Sequence, residues 1–375
     1  MLLRIWLLAG LALAPGLLGQ SFEDLAARAR QALEAEQVDR AIDLYRQATG
    51  LRPDWDEGWW RLGGLLHYKG RYAQARDAYT RLVGVDPKSG PGFAMIGLCE
   101  FELKHYEGAL VALEQGLRLG VSSNPELERD ALLRDATLHS RFGQPDIALK
   151  RLDEAIGRAA AANPAAGSDK LLEDSELVDA FGIAALRIPK LPSEVEPARA
   201  ALVRKAGRAQ ALVALHDWVA AGAEFKELTA AFGNEPGVHY MRGVFVLKEH
   251  PADALAEFDK EIQVSPKEPD ARLQIALECL RSGDYDRARK NAAEAVALAP
   301  RYFVAHLVSA RLWLALEDAD KALQEAKIAV ELAEDSPDAH LTLSQCYALA
   351  GRTEEAEGER AKFQRLKSAA QASGQ

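Results

Sequence analysis

The residues of this chain that could bind a metal or act as nucleophiles occur singly rather than in clusters. Its three cysteines, Cys99, Cys279 and Cys346, have no second cysteine at the short spacing that zinc sites use. The eight histidines are scattered, and His306 and His340 lie 34 residues apart, which indicates a repeat rather than a pair of ligands. These spacings predict neither a metal site nor a bound cofactor.

Sequence motifs of catalysis are missing as well. The chain contains no HExxH pair, no glycine-rich phosphate loop, no GxSxG elbow and no calcium loop. Among 56 acidic residues, a carboxylate pair for acid–base chemistry cannot be told from solvated side chains. We therefore expect no catalytic centre, although a fold alone never excludes an enzyme.

What is regular in the sequence is the placement of small residues. Nine alanines mark one recurring position, and within two runs of them successive alanines are 34 residues apart. A fixed period of this length predicts a stacked array of helix pairs, in which each pair buries its apolar face against the next. The nine positions are Ala41, Ala75, Ala109, Ala148, Ala221, Ala254, Ala288, Ala322 and Ala356.

One unit, Asp56–Ser89, shows the pattern most clearly. Apolar residues from Trp59 to Leu66 recur at helical spacing, and a second stripe follows the turn. Small residues at Gly63 and Ala75 would let the two antiparallel helices approach closely. The unit thus predicts a helix–turn–helix hairpin.

These residues resemble the signature of the tetratricopeptide repeat (TPR) family. The matching positions, in order and spacing, are Trp59, Leu62, Gly63, Tyr72, Ala75, Tyr79 and Pro87. The unit Pro269–Tyr302 repeats the pattern, and the resemblance covers roughly residues 22 to 367. It implies an all-α fold, a right-handed superhelical solenoid of antiparallel helix pairs.

The period also suggests how the chain is organised. The segment 161–201 interrupts it, either as a degenerate repeat with flanking linkers or as an insertion whose helix covers the seam. The predicted divisions are a signal peptide at 1–20, an N-terminal TPR block at 21–160, an irregular linker or degenerate repeat at 161–201, a C-terminal TPR block at 202–367 and a flexible tail at 368–375.

The first 20 residues resemble a secretory leader. Arg4 precedes an apolar stretch, Ile5–Ala14, which is short for a membrane span. We expect export to the periplasm or the medium, with cleavage near Gly19 or Gln20. The alternative is an uncleaved anchor, and only in that case do we expect contact with a membrane.

An exported chain could use its cysteines for disulfides. However, each of the three falls in the middle of a predicted first helix, and their units are not adjacent. We expect them to be reduced packing residues, since free cysteine behaves as a small hydrophobic group.

The charge of the chain restricts its partners. The formal net charge is −10, and basic residues alternate with acidic ones along the helices. Binding to nucleic acid requires concentrated Lys and Arg, so we expect no such partner.

The resemblance also implies where a partner would bind. In the family, positions 2, 5, 9 and 12 of each first helix line a concave groove, and we call them groove positions. The candidate groove contacts are Trp60, His67, Phe101, Leu273, Leu277, Leu307, Arg311 and Gln345. The leucines could instead pack between adjacent first helices. Trp60 is the clearest candidate because Trp59 already fills the structural position beside it.

Together these observations predict a non-catalytic scaffold that binds proteins or peptides in the cell envelope. A lysine–asparagine clamp for a C-terminal carboxylate, known in some TPR proteins, is not supported, because Trp60, Gly64 and Met95 stand at the corresponding positions. The alternative is an accessory scaffold of envelope polysaccharide or secretion machinery.

Overall fold

The computed structural model describes residues 21–121, 124–162 and 167–373. The proposed leader, residues 1–20, lies outside this part. Throughout the described residues the protein is all-α, with twenty α-helices, two short 3-10 turns and no strand. None of those helices is both long and apolar enough to span a bilayer. The chain divides into two compact units, residues 1–131 and 132–375.

The first unit contains three helix pairs of nearly constant length. Each first helix has 13 residues and each second helix has 14. The helices are α1 (Phe22–Glu34), α2 (Val38–Leu51), α3 (Asp56–Tyr68), α4 (Tyr72–Val85), α5 (Gly90–Glu102), α6 (Tyr106–Leu119) and the start of α7 (Pro125–Arg141).

The second unit contains the end of α7 and thirteen further helices. Its later pairs have the same lengths as those of the first unit, whereas α13 has only nine residues. The helices are α8 (Pro145–Ala162), α9 (Ser168–Leu171), α10 (Ser175–Ala185), α11 (Ala200–Ala214), α12 (Trp218–Phe232), α13 (Val238–Val246), α14 (Pro251–Val264), α15 (Asp270–Ser282), α16 (Tyr285–Leu298), α17 (Phe303–Ala315), α18 (Ala319–Leu332), α19 (Pro337–Leu349) and α20 (Thr353–Ser373).

The recurring alanines are the tight contacts of the array, as the period predicts. All nine are buried, and eight of them have no exposed surface. Glycines of the first helices allow equally close packing. A Cβ at Gly63 would lie 2.8 Å from the ring of Tyr79, and one at Gly243 would lie 2.5 Å from the ring of Phe258. Only the smallest residue fits there.

The described part of the segment 161–201 (residues 161–162 and 167–201) includes a well-packed helix. It contains α10, whose side chains are almost all buried and which packs against α8 and α11. Arg187, the second residue after α10, is left-handed at φ +55°, like Gly70 and Glu317 after first helices. The chain then forms 3-10 turns at Pro192–Glu194 and Pro197–Arg199 before α11 begins at Ala200.

The α10 helix therefore has the turn geometry of a first helix, and it packs against α11. Its contact with α11 is close, since Cβ atoms built on Gly182 and Gly207 would lie 2.0 Å and 1.8 Å from backbone oxygens of the opposite helix. The predicted separation of residues 21–160 and 202–367 into independently folding blocks stays a prediction.

The second helix α20 differs from earlier second helices at one recurring position. The position four residues after each recurring alanine is buried in the earlier second helices, for example at Tyr45 and Phe258. In α20 the same position is Arg360, which is exposed.

Candidate groove of the second unit

Two aromatic candidates of the first unit are half-buried at the surface of their own helix pairs. The ring of Trp60 packs edge-on against Tyr79, with ring centroids 5.6 Å apart. Phe101 packs in the same way against Tyr106 at 5.8 Å. Both side chains are partly exposed, so each could contact a partner through its exposed surface.

The third candidate of this unit, His67, is also half-buried. Its ring lies 5.3 Å from that of Tyr72. Burial lowers the pKa of His67, because desolvation disfavours the charged imidazolium. This side chain would therefore present a neutral imidazole at neutral pH.

The leucine candidates of the second unit belong to its core. Leu273 and Leu307 are buried, and Leu277 is half-buried against the cluster around α15 and α16. They follow the alternative in which groove-position leucines pack between helices. The sequence alone does not decide this, because an apolar residue suits either environment.

The two polar candidates, by contrast, are accessible. Gln345 is exposed. Arg311 is partly exposed and lies 3.9 Å from Asp338, which is a weak surface pair. Neither residue lines a cavity described below.

A large, mainly apolar concavity of this unit lies elsewhere, at α8 and α10–α13. It encloses about 650 Å³. Its walls are formed by Leu149, Ala184, Ala185, Val213, Trp218, Gly222, Met241, Val244, Phe245 and Val246, and polar residues Asp146, Arg187, Gln210, Tyr240, Lys248, Glu249 and His250 complete the lining. We call it the Trp218 cavity.

Aromatic stacking fixes one wall of the Trp218 cavity. Phe245 stacks on the buried Phe225, with ring centroids 4.6 Å apart. Trp218 lies 6.5 Å from Phe245 and is 56% exposed. A large apolar ring that stays exposed beside a concave apolar surface is typical of an interaction site.

Several residues that line this cavity stand at groove positions of the repeat register. Counted from the starts of their units at 202 and 236, Gln210 and Val213 are positions 9 and 12 of one first helix, and Tyr240 and Val244 are positions 5 and 9 of the next. All four line the cavity. The groove positions of two successive helices therefore meet there.

Arg187 lies on the wall of this cavity and connects three elements. Its Nε donates to Asp270 Oδ2 at 2.7 Å, and its Nη1 donates to Asp146 Oδ1 at 3.2 Å. The guanidinium carbon is 5.1 Å from the centroid of the Tyr240 ring. Because Asp146 begins α8 and Asp270 begins α15, this one side chain ties the turn after α10 to two distant helices.

In this network, burial and the neighbouring charged groups shift the pKa values in opposite directions. Burial lowers the pKa of Arg187, but Tyr240 together with Asp270 and Asp146 raises it, and the net pKa lies above the usual range, so the guanidinium stays charged. Burial raises the pKa of Asp270, and Arg187 opposes part of that rise. The ion pair thus offsets part of the cost of burying a carboxylate at this position.

A second, smaller cavity shares Arg187 and Tyr240 with the first. It encloses about 250 Å³ and is bounded by the turn after α10 and by residues near the starts of α13 and α15. We call it the Arg199 cavity, after the residue at the end of the second 3-10 turn. Sequence reasoning did not find either cavity. The sequence feature that could have indicated them is the group of apolar residues Leu186, Ile188 and Leu191 close to Pro189 and Pro192.

Comparison with known proteins identifies the repeats. Residues 26–92 and 273–337 match the family profile described as tetratricopeptide repeat. The chain contains tetratricopeptide repeats. Residues 97–165 also match the profile of anaphase-promoting complex subunit 5. The TPR segments therefore lie in both compact units.

Individual relatives are more distant. The protein O-mannosyl-transferase TMTC1 of Homo sapiens is 37% identical over 62 residues, which is 16% of this chain and 7% of that protein. The Mus musculus counterpart is 34% identical over 62 residues, which again are 16% of this chain and 7% of that protein. The chain thus spans only a small part of the curated relatives it matches.

Several solved structures are similar at low identity. The yeast Tom70 structure has a TM-score of 0.39 and 16% identity, with 92% of this chain and 85% of that chain covered. MamA of Desulfovibrio magneticus RS-1 has a TM-score of 0.40 and 19% identity, with 45% and 96% covered. YrrB, titled a TPR protein with an unusual peptide-binding site, has a TM-score of 0.37 and 16% identity, with 46% and 89% covered.

Proposed function

We propose that this TPR protein is a non-catalytic scaffold that binds a protein or peptide in the groove of its second unit, with apolar side chains of the partner in the Trp218 cavity. One observation carries the proposal. An apolar cavity of about 650 Å³ is lined by groove positions of two successive first helices and keeps Trp218 exposed. Cavities of this size accommodate one or two large side chains.

The binding energy would come from burial of apolar surface. Val244 and Phe245 form one wall, and Trp218 offers a large, rigid ring beside them. Such aromatic anchors dominate the energetics of interfaces, whereas charged residues at the rim mainly set orientation and rate. Lys248, Glu249 and His250 are the polar groups of that rim.

The experiment is a selection of peptides from a display library against the full chain, followed by affinity measurements on variants. Val244→Asp places a charge on the cavity wall at a position that is already half-exposed, so the fold should tolerate it. Val219→Asp is the matched control. Val219 follows Trp218 directly, is 88% exposed and does not line the cavity.

We expect Val244→Asp to weaken the selected peptides by at least about tenfold, the effect of losing a well-packed anchor. Val219→Asp should leave their affinity unchanged. Equal weakening by the two variants, or none by Val244→Asp, would show that the peptides bind outside this cavity.

We also propose that the protein is exported and meets its partner in the cell envelope. The support is the sequence of residues 1–20, with Arg4 ahead of an apolar stretch. Determination of the N-terminal residue of the protein isolated from its host tests this. A mature chain that begins near Ser21 agrees with export, and an intact N-terminus in a cytoplasmic fraction contradicts it.

A further inference from the structure

The Arg199 cavity combines an apolar wall with polar groups that the fold leaves unused. Leu186, Ile188, Pro189, Pro236 and Ala271 form its apolar surface. At about 250 Å³ it is larger than a cavity of roughly 150 Å³ that can hold benzene. It therefore has room for one compact organic group.

Arg199 is a cation without a close acceptor. Its nearest carboxylate oxygen belongs to Glu235, 3.9 Å from Nη2, and its Nε is buried with no hydrogen-bond partner. Two other arginines of this unit show the closer pairing of an ordinary ion pair. Arg204 donates to a carboxylate at 2.6 Å and Arg272 does so at 2.9 Å. The guanidinium of Arg199 thus retains most of its capacity to donate.

Ser265 provides a second unused group on the same cavity. Its side chain is 8% exposed and its hydroxyl has no partner. The backbone N–H of Ser265 donates to the carbonyl of Glu261. The hydroxyl is therefore the polar group of this residue that is available to a ligand. A buried polar group without a partner costs about 1–3 kcal/mol, a penalty that a hydrogen-bonding ligand would remove.

The acidic residues of the cavity do not satisfy these donors. The carboxylate of Glu261 accepts from the backbone N–H groups of Gly237 and Tyr240, at 2.8 Å and 3.1 Å. Asp270 accepts from Arg187. The remaining acid, Glu268, is exposed, and water and salt screen an exposed charge.

We propose that the Arg199 cavity binds a carboxylate carried on a compact apolar group, with Arg199 and Ser265 donating to the carboxylate oxygens and the apolar wall enclosing the rest. A planar guanidinium fork is the protein group best matched to a carboxylate. The ligand is either a free organic acid or an acidic side chain of a bound protein. This inference does not depend on the Trp218 cavity.

The test titrates benzoate into the full chain and follows the Ile188 side-chain methyl by NMR, since Ile188 lies on the cavity wall. Benzamide, which has the same shape without the charge, is the control ligand. Arg199→Gln and Ser265→Ala remove the two donors. Arg204→Gln is the matched control variant, because Arg204 is exposed and paired with Asp179 outside the cavity.

We expect saturable shifts of the Ile188 methyl with benzoate and at least about tenfold weaker binding of benzamide, because a hydrogen bond to a charged group contributes roughly 1.5–3 kcal/mol. Arg199→Gln should weaken benzoate to the same degree and Ser265→Ala should weaken it less, whereas Arg204→Gln should leave it unchanged. Absence of a shift, equal affinity for benzamide, or insensitivity to Arg199→Gln would overturn the proposal.

A second arm distinguishes the two sources of the carboxylate. It titrates a capped Ala-Glu-Ala peptide and its glutamine counterpart under the same conditions. Tighter binding of the glutamate peptide than of benzoate would assign the cavity to an acidic side chain of a protein partner. Binding of benzoate alone would assign it to a free organic acid, and binding of neither would refute the site.

Discussion

Replacement of Arg187 by methionine should destabilise the second unit strongly. The side chains of Arg187 and Asp270 are 21% and 18% exposed, so the substitution would leave a largely buried carboxylate without its cation. Removing one member of a buried ion pair costs about 3–5 kcal/mol, and the partial exposure of this pair favours the lower end, about 3 kcal/mol. Asp146 should matter less, because its side chain is 74% exposed, and Asp146→Asn should cost no more than about 1 kcal/mol.

The double variant Arg187→Met/Asp270→Asn separates loss of the ion pair from loss of packing. With both charges removed, no unpaired carboxylate stays buried, so the double variant should regain about 2 kcal/mol relative to Arg187→Met. Arg204→Met is the control, since it breaks a more exposed pair with Asp179 and should cost no more than about 1 kcal/mol. The free energies come from urea unfolding followed by circular dichroism, compared by midpoint where the slope is unchanged.

The effect of Arg187→Met should also depend on pH. Burial already raises the pKa of Asp270 in the folded protein, and loss of Arg187 should raise it further. A group whose pKa is raised on folding favours the folded state at low pH, and this contribution is lost as the pH rises through the folded pKa. The destabilisation should therefore be greatest at neutral pH and shrink on acidification. A loss below about 1 kcal/mol, or one that is equal at every pH and unrelieved in the double variant, would refute this account.

Two further predictions concern packing. Gly207→Ala should destabilise the second unit by at least about 3 kcal/mol, because its Cβ would lie 1.8 Å from the Val178 carbonyl oxygen. Gly157→Ala, on the exposed face of α8, should instead stabilise the protein by about 0.5–1 kcal/mol. Urea unfolding of both variants tests this, and equal effects would contradict the contact between α10 and α11. Burial raises the pKa of Cys99 and Cys346 to about 12 and also raises that of Cys279. The native protein should therefore resist alkylation at neutral pH. After denaturation without reduction, all three cysteines should be labelled as free thiols. Mass spectrometry counts them, and a single thiol would reveal a disulfide.

The sequence predicts the repeated hairpins well because their constraints are local. Ala75, Gly63 and Tyr79 recur with a fixed period, and each must fit one contact between adjacent helices. The Arg187 network has no such local signal. Its partners Asp146 and Asp270 are 41 and 83 residues away, and only the fold brings them to one side chain.

The candidate groove shows the same limit. The family register directs attention to the first helices, but it does not tell a packed leucine such as Leu273 from an accessible one. Whether a groove position is open depends on what covers it. In the second unit, the turn after α10 packs beside Gly237 and Tyr240, and the irregular segment thereby shapes both cavities. An aperiodic segment of this kind cannot be positioned from a repeat pattern.

A crystal structure of the full chain with a display-selected peptide would test the central claim most directly. The account predicts that a large apolar side chain of the peptide lies between Trp218 and Phe245, in contact with Val244. A peptide bound with this cavity empty, or bound only on the second helices, would contradict it.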